Sequence, residues 1–233
     1  MAGPRVSIDP ALATLKVAGG SAKHAQTGQW VAEVLRNSIT DGALTPGTKL
    51  SEQSLGEVLG VSRNTLREAF AALSAERIVT RIPNRGVFVA RPSAAEVREM
   101  YSVRRMLEPA ALQFAPPPSP NALAALAAVV RRGREGRAHA DVAAMAGANQ
   151  EFHRQVVALS GSDRLDALMA QVLAEMRLVF HAMAGEPAFH EPFVTENARI
   201  LEQLEAGRRE QAARDMAGYL DRAESGLLAV LES

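Results

Sequence analysis

The chain has 233 residues, 47% of them hydrophobic, 22% charged and 4% aromatic, with no cysteine and a formal net charge of zero. That usage excludes wholesale disorder, collagen and a coiled-coil rod, and the lack of cysteine excludes disulfides and thiolate-ligated zinc or iron–sulfur centres. The longest uncharged apolar run, Ala122 to Val130, is nine residues, half of what a membrane span requires, and the first 25 residues lack the apolar core of a signal peptide. A cytoplasmic protein without membrane contact is expected. With 43 alanines beside 17 glycines and 12 prolines, the apolar fraction is mostly small aliphatic side chain, which favours helix over strand.

The zero net charge hides a gradient. Residues 1–92 hold 11 Lys or Arg against 7 Asp or Glu, and residues 93–233 hold 15 against 19. Three segments follow: an N-terminal tail over 1–25, a basic domain over 26–92, and an acidic helical domain over 93–233. Between Val61 and Arg91, Arg63, Arg67, Arg77, Arg81, Arg85 and Arg91 face only Glu68 and Glu76, an imbalance suited to phosphate contact.

In chain order, Val31, Val34, Leu35 and Ile39 repeat at helical spacing from Trp30 until Asp41-Gly42 ends the pattern. Leu44-Thr45-Pro46-Gly47 reads as a turn. Ser51 caps a short helix carrying Leu55, Val58 and Leu59, Gly60 ends it, and Ser62 caps the next. In that next helix Leu66, Phe70 and Leu73 form the inward stripe, so Arg63, Asn64 and Arg67 point the other way. Arginine reads guanine bidentately and asparagine reads adenine or holds phosphate, as a recognition helix in a major groove requires. Val79 to Ile82 and Val87 to Val89 are β-rich runs around Pro83-Asn84-Arg85-Gly86, a hairpin with an arginine at its tip.

The residues from Leu44 to Glu52, then Leu59-Gly60-Val61-Ser62-Arg63-Asn64-Thr65-Leu66-Arg67-Glu68-Ala69-Phe70 and Arg85-Gly86-Val87-Phe88-Val89, resemble the DNA-binding domain of GntR-type bacterial transcriptional regulators. The resemblance implies a winged helix-turn-helix in which Ser62, Arg63, Asn64, Thr65, Arg67, Arg85 and Gly86 lie at the DNA, with Gln53 or Ser54 near its backbone. Asn64 stands where the family often has Thr, and Leu66 where it often has Val.

After Pro92 the patterns are helical, over roughly 94–115, 120–138, 141–160, 163–184, 192–206 and 208–231, with no strand signal. The fold class is therefore mainly α, a winged helix with a small β-hairpin followed by an all-α bundle. Polar residues break the inner stripes. Asn149 and His153 share a face with Val142, Met145, Phe152 and Val156; Asn197 shares one with Phe193, Ile200 and Leu201; Tyr219 shares one with Met216 and Leu220; Arg104 lies beside Val97, Met100 and Tyr101. Separately buried polar groups cost a few kcal/mol each unless paired, so one polar cavity for a ligand is the economical account. Arg177 is a second candidate cation for it, while His139, His190 and His24 read as loop or surface residues. Arg104 either meets a ligand or is neutralised by Glu108 one turn on; both readings stand.

The segment from Val103 to Ala111 resembles the start of the FCD effector domain of the FadR-like branch of that family. Many members carry an Asp four residues before a His, plus two later His, as ligands of a divalent metal. Here those positions read Asn149, His153, Asn197 and Tyr219, so no metal cofactor is expected. The resemblance implies a homodimeric regulator, a repressor, bound to a double-stranded DNA operator and responsive to a small metabolite such as an organic acid. An architectural DNA-binding protein is the alternative. A helical enzyme is a further one, but no nucleophile elbow, phosphate loop or paired carboxylates on one face are present.

Overall fold

The computed structural model describes residues 24–183 and 186–232; the 1–25 tail, apart from its last two residues, lies outside them. The chain divides into two compact units at Arg91/Pro92. Among the described residues there are nine α-helices and three short strands.

The first unit contains α1 (His24–Thr40), β1 (Lys49–Leu50), α2 (Glu52–Leu59), α3 (Arg63–Ala75), β2 (Val79–Ile82) and β3 (Gly86–Val89). Val31, Leu35 and Ile39 of α1 pack with Leu66, Phe70 and Leu73 of α3 as fully buried residues. The helix boundaries follow from caps. Ser51 accepts a hydrogen bond from the Ser54 amide, Gly60 takes the left-handed conformation with φ +67°, and Ser62 accepts from the Thr65 amide. The sheet has one strand more than the hairpin expected from sequence. β3 lies in the centre, antiparallel to β2 and to β1, and the extra pairing is reinforced where Gly47 donates to the Val89 carbonyl and Val89 to the Thr48 carbonyl, each at 2.9 Å.

The second unit contains α4 (Ala94–Phe114), α5 (Pro120–Ala138), α6 (Val142–Ala158), α7 (Asp163–Phe180), a 3-10 turn (His181–Met183), α8 (Pro187–Glu205) and α9 (Arg209–Leu231). Ser93 and Glu96 form a reciprocal capping box at the start of α4, and Ser119, Asp141 and Ser162 cap the next three helices. At the other end of α4, Arg209 donates to the carbonyls of Leu112 and Ala115, supplying partners that the last turn of a helix lacks. Packing joins α4 to α9, α5 to α6 and α8, and α8 to α9 around one core that includes Phe152, Met176, Phe193, Met216 and Tyr219.

Two helix boundaries depart from expectation. α7 stops at Phe180 and tightens into the 3-10 turn instead of running to 184. α8 starts at Pro187 rather than 192, with Pro192 inside it. Proline is favoured in the first turn because the amide it lacks has no helical partner there, and Pro187 occupies that place, while Pro192 follows at the beginning of the second turn. No described helix is long and apolar enough to cross a membrane.

Two glycines of the bundle are expected to respond oppositely to substitution. A Cβ on Gly136 would lie 3.0 Å from the Ala144 Cβ and 3.1 Å from the Met145 amide nitrogen, whereas one on Gly147 meets nothing within 4 Å. Gly147→Ala, in the interior of α6, should stabilise by about 0.5–1 kcal/mol. Gly136→Val should destabilise by about 1–3 kcal/mol through overpacking. Urea unfolding of both variants beside the parent measures each sign.

Candidate functional site

In the first unit, α3 buries Leu66, Ala69, Phe70 and Leu73, which leaves Arg63, Asn64 and Arg67 exposed along its opposite side. The Ser62 and Thr65 hydroxyls lie 2.9 Å apart and the Ser62 oxygen accepts from the Thr65 amide, so both side chains hold the helix start. Arg67 is anchored: its Nε donates to Glu52 Oε1 at 3.1 Å and its Nη2 to Glu52 Oε2 at 3.4 Å. At the wing tip Asn84 (φ +60°) and Gly86 (φ +111°) adopt left-handed backbone on either side of exposed Arg85, whose Cζ stands 5.8 Å from the Phe88 ring centre. Gln53 is exposed and donates to Glu57 at 3.3 Å. Ser54 corrects the reading from sequence. It is 5% exposed and its hydroxyl donates to Ser51 Oγ, so it completes the cap of α2 instead of facing solvent.

In the second unit, polar side chains from four helices meet inside the bundle. Arg104 and Glu108 on α4 are 2% and 0% exposed, and Arg104 Nε donates to Glu108 Oε1 at 2.6 Å. The second oxygen of Glu108 accepts from His153 Nδ1 of α6. The His153 ring packs 4.8 Å from that of Tyr219 on α9, whose hydroxyl donates to Asn149 Oδ1 at 2.8 Å; Asn197 Nδ2 of α8 donates to the same oxygen, also at 2.8 Å. One connected network thus runs from Arg104 to Asn197.

Burial works against ionising Glu108, but the Arg104 charge and the His153 contact outweigh it, and its carboxyl is held below the usual range. Burial likewise opposes the Arg104 charge, yet Glu108 raises its pKa. Burial lowers His153, which is therefore neutral: Nδ1 carries the proton given to Glu108, and Nε2 is a lone pair. The Tyr101 ring lies under the Arg104 guanidinium, with Cζ 4.9 Å from the ring centre, and burial pushes the Tyr101 hydroxyl up to about 12. Four buried polar atoms of this group are left without a hydrogen-bond partner: Arg104 Nη2, His153 Nε2, Tyr101 Oη and Asn197 Oδ1. Native interiors rarely tolerate such atoms, and here four of them belong to one group of side chains.

Arg104, Asn149, His153, Asn197 and Tyr219 are thus brought together as their helical stripes indicated. Arg177 is not: it is exposed on α7, bonded through Nε to Gln150 Oε1. His190 also departs from the expected surface position. It is 4% exposed on α8, among the rings of Phe180 and Phe189. Tyr101 and Glu108 are the members that sequence reasoning undervalued. The one signal for Glu108 was its place one turn after Arg104.

Comparison with known proteins gives a consistent assignment. The family model for bacterial regulatory proteins of the gntR family matches residues 27–89, and the FCD domain model matches residues 99–222. A crystal structure of a putative transcriptional regulator GntR from Rhodococcus sp. RHA1 is 38% identical, with a TM-score of 0.82 over 88% of this chain and 98% of that one. An HTH-type transcriptional regulator from the TAR-I ttuE-ttuC' intergenic region of Agrobacterium vitis is 29% identical over 147 residues, 61% of this chain and 86% of that protein. The gluconate operon transcriptional repressor of Bacillus subtilis is 38% identical over 84 residues, only 36% of this chain and 34% of its own length.

The buried network sets a pH dependence. Unfolded His153 takes a proton more readily than folded His153, so stability is lost as pH falls through the ordinary histidine range near 6.5. Glu108 acts in the same direction lower down, because its depressed pKa stabilises the fold only while the carboxylate is ionised. The unfolding free energy from urea titrations is expected to decline between about pH 7 and 5, and His153→Gln to flatten that decline. A parent profile that is level over this interval would contradict a neutral His153.

Proposed function

The chain belongs to the GntR family of bacterial regulatory proteins, and we propose that it is a repressor released from its operator by a small metabolite. Its class, a ligand-responsive DNA-binding transcriptional regulator, follows from the GntR and FCD domains together. The observation that carries the finer reading is the set of unpartnered polar atoms around Arg104 and His153, in a unit separate from the exposed arginines of α3 and the wing.

On the DNA side, Arg63, Asn64 and Arg67 enter the major groove while Arg85 and Gly86 follow phosphate or minor groove, with Ser62, Thr65 and Gln53 at the helix ends. The protein acts in the cytoplasm by binding rather than turnover. A homodimer reads an inverted repeat, since one winged helix spans only a few base pairs. Support for an interface in the helical unit comes from α4, where Met106 and Phe114 are 75% and 77% exposed.

On the effector side, Arg104 serves two tasks. Its Nε is spent on Glu108, but its buried Nη2 has no partner and is the donor left for the carboxylate of an organic acid. His153 Nε2 and Asn197 Oδ1 accept from hydroxyl or amino groups of the same molecule. The residues fit a divalent metal poorly. Asn149 Oδ1 already accepts two hydrogen bonds, burial keeps the Tyr219 phenol protonated, and the Glu108 oxygens are engaged by Arg104 and His153. The effector site therefore works without a cation.

Two measurements test these readings. On a duplex that the protein selects from random sequence, Arg63→Ala is expected to weaken binding by about 1–3 kcal/mol and relax base preference, and Arg85→Ala to weaken it evenly across sequences. Loss of neither affinity nor preference in both variants would remove α3 and the wing from the DNA. For the effector, Arg104→Lys keeps a charge for Glu108 but deletes Nη2. Small organic acids should raise the melting temperature of the parent and not of this variant, and dialysed protein should hold no stoichiometric zinc or nickel. An acid that stabilises both proteins equally, or one tightly held metal per chain, would refute the respective half.

A further inference from the structure

Arg67 is an exposed side chain, 57% accessible, yet it is held at two points. Its partner Glu52 is 26% accessible and sits in the first turn of the preceding helix, where the positive end of the helix dipole favours a carboxylate. Both helices have fixed starts through Ser51 and Ser62. Arg67 and Glu52 are fifteen positions apart, so the bond spans the turn between α2 and α3 rather than running along one helix.

We propose that Glu52 is a specificity-determining positioning residue, which holds the Arg67 fork toward base edges and withholds it from indiscriminate phosphate contact. The proposal rests on α3 being the element that reads DNA. Guanidinium is a planar fork whose donors point in fixed directions. With Nε and one Nη2 hydrogen given to Glu52, the remaining hydrogens on Nη1 and Nη2 face away from the carboxylate and can meet two acceptors on a guanine edge. A phosphate competes differently. Whether it displaces Glu52 from the Nε side or takes the free edge, a phosphate brings a second negative charge beside the carboxylate, whereas a guanine edge is neutral. Base contact carries no such penalty, so Glu52 widens the gap between specific and non-specific binding by discouraging the second.

The test compares the parent, Glu52→Gln, Arg67→Ala and the double variant in two assays: affinity for short random-sequence duplexes across a salt series, and enrichment of sites in one round of selection from the same pool. Glu52→Gln is expected to bind random duplexes about two- to fivefold more tightly, the scale of one exposed ion pair, and to lose enrichment by a similar factor. In the Arg67→Ala background it should change neither. Glu52→Asp, which retains the charge with shorter reach, should fall between parent and Gln, and it decides the matter if the Gln variant is poorly folded. Unchanged enrichment in Glu52→Gln overturns the proposal, as does a parallel loss on both DNAs accompanied by a lower melting temperature. The same holds for an equal effect of Glu52→Gln with Arg67 absent. Should Arg67→Ala itself leave enrichment at the parent value, the placement of α3 on DNA is what fails.

Discussion

The helical unit is organised around a carboxylate that water does not reach. Glu108 is fully buried, and a buried anion is tolerable only if its oxygens are occupied and its charge is answered. Arg104 supplies the charge from one turn earlier on α4, and His153 supplies a second donor from α6. Those two requirements dictate the rest of the neighbourhood. His153 must keep its proton on the side of Glu108, which leaves its other nitrogen as an acceptor, and the long guanidinium must lie over Tyr101, which leaves part of it unspent. Burying such a pair is weak evidence for stability by itself; hydrophobic replacements often do as well. Its persistence here coincides with unfulfilled hydrogen-bond capacity, which is what a binding site needs and a core does not.

The DNA-binding unit depends on a different economy. Its helices are short, and the eight residues of α2 are too few to be stable alone, so their ends are set by side-chain caps and by a left-handed glycine. The same Ser62 that starts α3 also fixes where Arg63, Asn64 and Arg67 stand relative to the buried stripe. Local hydrogen bonding thus determines which residues are presented, and packing of Leu66, Phe70 and Leu73 determines in which direction.

Much of this was legible in the sequence, because caps and apolar periods are local signals. Ser51, Gly60 and Ser62 marked the boundaries of α2 and α3, and the stripes of α6, α8 and α9 indicated that Asn149, His153, Asn197 and Tyr219 face inward. The misses were non-local. β1 is two residues long and shows no alternation; it exists because β3 offers an edge. Glu108 stood out in sequence only as a candidate neutraliser of Arg104, since nothing in a single sequence ties it to a histidine 45 residues away. The family resemblance offered Ser54 as an alternative to Gln53, and Arg177 was a second candidate cation; the direction of each side chain is decided by neighbours that the chain order conceals. His190 was taken for a loop residue because Pro192 looked like the start of a helix that in fact begins at Pro187.

That internal proline has a mechanical meaning. Pro192 carries no amide hydrogen, so the bond that would tie position 192 to the carbonyl of Ala188 is missing, and the first turn of α8 is held to the remainder of the helix by fewer backbone bonds than any later turn. Glu186 gives it no side-chain cap either. What retains this turn is side-chain contact, chiefly the packing of Phe189 and His190 against Phe180 and Phe193. α8 is consequently graded in stiffness: opening should cost least at its beginning and most where Ile200, Leu201 and Leu204 are buried.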